Sequence, residues 1–192
     1  MRSMFAQADD EFPSVQGVSA MLSAFEGADN DRVTYLLTDA LDIFRATYAA
    51  LSLPDVQADR SLQMAIRRLV FAGSRRVDAD RLIDLMMSAE ALFIKRANLP
   101  QGTKGDKIAA AAAALLAGDP ELKADALQIQ TFMRTVYQAR NAEMHGDDRP
   151  YSQFRLLDGS ATNSMPSVLN DAEKLMRRAV LAVLAEYTAV AK

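Results

Sequence analysis

The segment Arg140-Asn141-Ala142-Glu143-Met144-His145-Gly146 brings together the residue types in this sequence most able to do chemistry. Histidine titrates near neutrality, which suits it to moving protons. A guanidinium presents paired N–H donors that match the oxygens of a phosphate or carboxylate. His145 is the only histidine in the 192 residues. Apolar spacing predicts a helix over about Asp125 to Met144, so His145 stands at its C-terminal end and Gly146 where a left-handed cap residue belongs. Asn141, four positions earlier, shares a face with His145 and lies close enough to orient the ring. Arg140 is offset from His145 by about 140° on a helix that turns about 100° per residue. The two can meet one substrate only if the last turn frays or a second chain contributes. The plainer reading is a polar helix end whose histidine bonds its own last carbonyls.

Other chemistries find little footing. There is no cysteine, which removes disulfides, thiolate metal sites and cysteine nucleophiles. One histidine cannot build a histidine-rich metal centre, and the carboxylates show no calcium- or zinc-type spacing; no metal and no cofactor is expected. The segment QGTKGDK has glycines and a lysine but not the spacing of a phosphate-binding P-loop. With 22 basic and 25 acidic residues the net charge is −3, so no global basic excess points to nucleic acid. The arginine pairs Arg67-Arg68, Arg75-Arg76 and Arg177-Arg178 are expected to lie mostly on solvated helix faces. The N-terminus has no apolar core of a signal peptide. The longest apolar run, Ile108 to Ala117, is mostly alanine and falls short of the roughly 20 residues a membrane span needs. A soluble, cytoplasmic protein without membrane contact is expected.

The elements that must position the motif read as helices. Val33, Leu36, Leu37, Ala40, Leu41, Phe44 and Leu51 form one stripe; Leu62, Ala65, Ile66, Leu69 and Val70 a second, stopping near Gly73; Leu82, Leu85, Met86, Ala89 and Phe93 a third. QGTKGD reads as a turn, followed by the alanine-rich helix to Ala117, whose small side chains let a neighbour approach closely. The helix carrying the motif comes next, and a last one spans about Ser167 to Ala189. No period-two run requires a sheet. The expected fold is all-α, a single bundle of six or seven helices over residues 29–192, with 1–28 as a loosely ordered lead-in holding a short helix near Val18 to Phe25. Residues 146 to 166 lack helical periodicity, and loops this long tend to be functional or disordered.

Several segments together carry a family resemblance. RNAEMHG resembles the signature of the HEPN superfamily: arginine, a polar residue, an interval, then histidine, near the end of the penultimate long helix. DRLIDLMMSAEALF (80–93), the alanine-rich helix ending LLAGDP, FMRTVYQARNAEMHG and DAEKLMRRAVLAVLAEY are similar, in order and spacing, to the ApeA-like branch. The resemblance spans about residues 30 to 190. It departs in lacking the large β-rich region that many ApeA-like proteins carry before the helical domain, so a stand-alone or excised version is expected.

The resemblance implies a homodimer that brings two Arg…His motifs to one cleft. It also implies a metal-independent endoribonuclease of a defence or toxin system, in which a 2′-hydroxyl attacks the adjacent phosphate. Carried over, His145 moves the proton, Arg140 stabilises the phosphorane, and Asn141 positions the histidine or the phosphate. Glu90, within the Glu-Ala-Leu-Phe match, would orient Arg140 as readily as it would be a plain surface carboxylate, and Asp84 is expected to be structural. Arg149 and Arg155 are candidate RNA contacts, though solvated loop charges are the commoner case. RNA is the implied substrate and a regulatory or antitoxin protein an implied partner. Asp147 and Asp148 would repel RNA at close range. The alternative function is a non-catalytic dimerisation or ligand-binding module that keeps the Arg…His motif as a relic.

Overall fold

The computed structural model describes residues 38–96, 102–146 and 154–190. The expected lead-in at 1–28, its short helix, and Arg149 lie outside them. The described residues form seven α-helices: α1 (Thr38–Leu51), α2 (Pro54–Ala58), α3 (Arg60–Ser74), α4 (Asp78–Phe93, continued by a 3-10 turn at Ile94–Arg96), α5 (Lys104–Leu116), α6 (Ala126–His145) and α7 (Met165–Val190). The protein is predominantly helical, and none of the described helices is long and apolar enough to cross a membrane.

Each boundary has a local cause. Pro54 opens α2, where the missing N–H costs nothing. Asp59 then accepts from the Ser61 and Leu62 amides to start α3, and from the Tyr187 hydroxyl at 2.7 Å. Burial would raise the Asp59 carboxyl, but the bonds from Tyr187, Leu62 and Ser61 outweigh it and hold the group below the usual aspartate value. Capping boxes begin both helices near the motif: Thr103 with Asp106 for α5, and Asp125 with Gln128 for α6. Gly146 ends α6 in the left-handed conformation, φ +67°, as its position in the sequence predicts.

The helices pack as two hairpins against one long element. The connection at 75–77 turns α4 back on α3, and the buried Ser88 hydroxyl donates to the Ala65 carbonyl across them. α5 and α6 form the second hairpin. α7 lies against both, parallel to α4, because Arg81 meets Glu173 at one end while Arg96 meets Glu186 at the other. The core follows the apolar stripes: Leu82, Leu85, Met86, Phe93, Ile129, Phe132, Met133, Val136 and the α7 stripe from Val168 to Leu184 are almost wholly buried. Each large side chain so buried favours the fold by about 1.5–3 kcal/mol before entropy is counted. Most of the alanine run is interior, with Ala109 and Ala112 sealed against neighbours and Ala114 exposed.

Three expectations need amending. α5 begins at Lys104, inside the segment read as a turn, because the Thr103–Asp106 box starts the helix a full turn earlier than the apolar run. The region after the motif contains a two-residue antiparallel ladder, β1 (Phe154–Arg155) with β2 (Ala161–Thr162), turned through Gly159 at φ +83°. Such short strands leave no alternating pattern to read. The arginine pairs divide: Arg67, Arg75 and Arg76 are exposed as expected, whereas Arg68, Arg177 and Arg178 are half-buried, Arg68 gripping the buried Asp84 together with Arg75, Arg177 pairing with Glu173, and Arg178 with Asp119 at 2.8 Å. Buried carboxylates need such partners, and Asp84 is accordingly structural.

Candidate functional site

The motif occupies the last turns of α6. Along this helix Leu127, Thr131, Arg134, Gln138 and His145 are exposed, while Phe132, Val136 and Ala139 face the core. His145, the final helical residue, is exposed, and among the described residues no hydrogen bond to its ring is present. Arg140 lies on the flank of this face. Its side chain is 19% exposed and turns towards α4 and α5.

There it joins a compact cluster. Arg140 Nη1 donates to Asn141 Oδ1 at 3.1 Å, and Nη2 stands 3.4 Å from Glu90 Oε1 on α4. The guanidinium carbon is 5.8 Å from the centre of the Tyr137 ring, one turn earlier on the same helix, within cation–π range. Lys104, the first residue of α5, reaches the other oxygen of Glu90 at 2.5 Å. Arg140 Nε and Glu90 Oε1 are buried without a hydrogen bond. Burial first, and then the neighbouring Glu90 charge, raise the Tyr137 hydroxyl above the ordinary phenol value, so it stays protonated at neutral pH.

The backbone holds these groups tightly. Gly105 lies against the Tyr137 ring so closely that a β-carbon there would stand 2.7 Å from Cδ1. Arg134 ties α6 to the Asp106 cap of α5 at 2.8 Å. The start of α5 is thus pinned beside the stretch of α6 that precedes the motif.

Of the residues singled out from sequence, Arg140, Asn141 and Glu90 are brought together. Asn141 differs from expectation in one respect: its oxygen accepts from Arg140, so it orients the guanidinium. His145 projects to solvent, three residues beyond Ala142, the last buried position of α6, and about 7.5 Å further along the axis than Arg140 at 1.5 Å per residue. Arg155 is not part of the cluster. It is exposed and donates to the Gly159 carbonyl at 3.2 Å, and Gly159 abuts the Gln128 side chain, near the other end of α6. Gln128 and His145 are separated by about 25 Å of helix.

Lys104, in the segment rejected as a P-loop, and Tyr137, within the FMRTVYQARNAEMHG match, are not site candidates on the sequence alone. The Thr-x-x-Asp spacing at 103–106 could have placed Lys104 on a helix start, and Tyr137 shares a face with Arg140 at three residues' spacing. A separate cleft of about 530 Å³, lined by Leu53, Pro54, Asp55, Arg96, Glu186, Tyr187 and Val190, includes no motif residue.

The arrangement offers an anchored cation and, further along a helix that stays regular to His145, an accessible imidazole. With no fraying of the last turn, only a second chain could bring the two residue types to one anionic oxygen. No protein-family model matches the chain, and no curated protein or solved structure matches it either.

Proposed function

We propose that the chain is a HEPN-type endoribonuclease of the ApeA-like branch, working without a metal as a homodimer. The observation that carries this reading is the exposed His145, without a hydrogen bond to its ring among the described residues, on the same helix as a guanidinium that these residues leave partly unbonded.

In the proposed reaction the 2′-hydroxyl oxygen attacks the adjacent phosphorus and the bond to the 5′-oxygen breaks. His145 takes the 2′-hydroxyl proton, the partner's His145 supplies a proton to the leaving oxygen, and Arg140 stabilises the charge on the phosphorane. One chain has one histidine, so separate acid and base require two chains. The products are a 2′,3′-cyclic phosphate and a 5′-hydroxyl. A regulatory or antitoxin protein would restrain such an activity in the cell.

The Glu90–Arg140 ion pair favours a second reading, a non-catalytic dimerisation or ligand-binding module whose arginine is satisfied internally. One assay separates the two. Purified protein incubated with single-stranded RNA in EDTA is expected to yield cyclic-phosphate ends. RNA left intact at every protein concentration would favour the module, and cleavage abolished by EDTA would contradict the metal-free chemistry.

A further inference from the structure

Glu90 stands between two cations and treats them unequally. Its Oε2 is 2.5 Å from Lys104 Nζ, a close charge-assisted contact, whereas its Oε1 is 3.4 Å from Arg140 Nη2, too long for a well-formed hydrogen bond. Arg140 Nε is buried and bonded to nothing. An arginine beside a carboxylate ordinarily closes into a two-pronged pair, and this one has not. Lys104 is fixed where it stands: the capping box holds the start of α5, Arg134 grips Asp106, and Gly105 is pressed against Tyr137.

We propose that Lys104 is a positioning residue for Arg140: by anchoring Glu90 through Oε2 it keeps the carboxylate from closing on the guanidinium, so that a phosphodiester oxygen can draw the guanidinium away from it. The role as a phosphate-binding residue rests on the ribonuclease reading; the restraint on Glu90 does not. Lys104 and Arg140 together exceed the one charge of Glu90, so the cluster keeps a net positive charge towards an incoming anion. The Lys104 side chain is 52% exposed.

The test uses Lys104→Met, Glu90→Gln and the double variant of the full chain. Two quantities are measured: KM and kcat for RNA cleavage, and the exchange rate of the Arg140 Nε proton by nitrogen-15 NMR, assigned with Arg140→Lys. In Lys104→Met, Glu90 closes on Arg140; Nε exchange slows and KM rises, each on the order of tenfold, the worth of one charge-assisted hydrogen bond. Adding Glu90→Gln reverses both changes. A double variant as impaired as Lys104→Met would overturn the proposal, since a lysine that merely touches phosphate or supports the fold gains nothing from neutralising Glu90. Unchanged Nε exchange in Lys104→Met would overturn it as well. If the wild-type chain cleaves no RNA, the ribonuclease reading fails, and Nε exchange still decides whether Lys104 restrains Glu90.

Discussion

Replacing His145 by alanine is expected to lower RNA cleavage by about 10²- to 10⁴-fold, the range that positioned acid–base groups contribute, while the melting temperature stays unchanged. The separation of the two effects follows from where the side chain sits. His145 is exposed at the last position of α6, and no hydrogen bond from the described residues reaches its ring. Substitutions at such surface positions usually alter stability by no more than about 0.5 kcal/mol. Arg140 gives a less clean experiment, because its removal also takes the guanidinium from Glu90 Oε1 and from the Tyr137 face. Cleavage by His145→Ala at the wild-type rate would remove the histidine from the mechanism.

The second large effect belongs to Gly105. A β-carbon at this position meets Tyr137 Cδ1 at 2.7 Å, with Cε1 at 3.3 Å and Cγ at 3.4 Å. The ring is 8% exposed and has little room to retreat. Gly105→Val therefore overpacks a filled site, at about 1–3 kcal/mol, or a melting temperature lower by roughly 2–12 °C for a chain of this size. The displaced ring carries the guanidinium with it, so RNA affinity falls even below the melting transition. Gly73→Ala is the control. Gly73 lies in the last turn of α3 with nothing near the added carbon, and there alanine stabilises by about 0.5–1 kcal/mol. A differential scan that found Gly105→Val as stable as wild type would contradict the tight seating of α5 against Tyr137.

The periodic signal explains what could be read in advance. Helices α3, α4, α6 and α7 bury continuous stripes, and residues such as Leu82, Phe132, Leu175 and Val180 fall inside as their spacing requires. The end of α6 was equally legible, since a glycine after a polar last turn has few other roles. The start of α5 was not. Glycine and lysine dominate 102–107, and only the Thr103–Asp106 pair signals a helix there. The strands at 154–155 and 161–162 are too short to set a pattern. Within the site, the resemblance offered Glu90 beside Arg140 as one of two equal readings, whereas it offered nothing for Lys104. Its position depends on how α5 docks against α4 and α6, a tertiary fact that spacing within one helix does not contain. The same applies to Asn141, whose face was read correctly but whose partner is the adjacent guanidinium.

A site completed by a second chain makes a demand on distance that can be measured directly. The sequence has no cysteine, so Met144→Cys, at a position 53% exposed beside His145, carries one nitroxide label per chain. Two imidazoles that serve one phosphate must both come within about 3 Å of its oxygens or of the attacking hydroxyl. Labels beside them then lie close enough to broaden each other's electron paramagnetic resonance spectrum in frozen solution. That broadening is expected, with its loss on dilution with unlabelled protein. A spectrum of isolated spins, from labelled protein that still cleaves RNA, would contradict it.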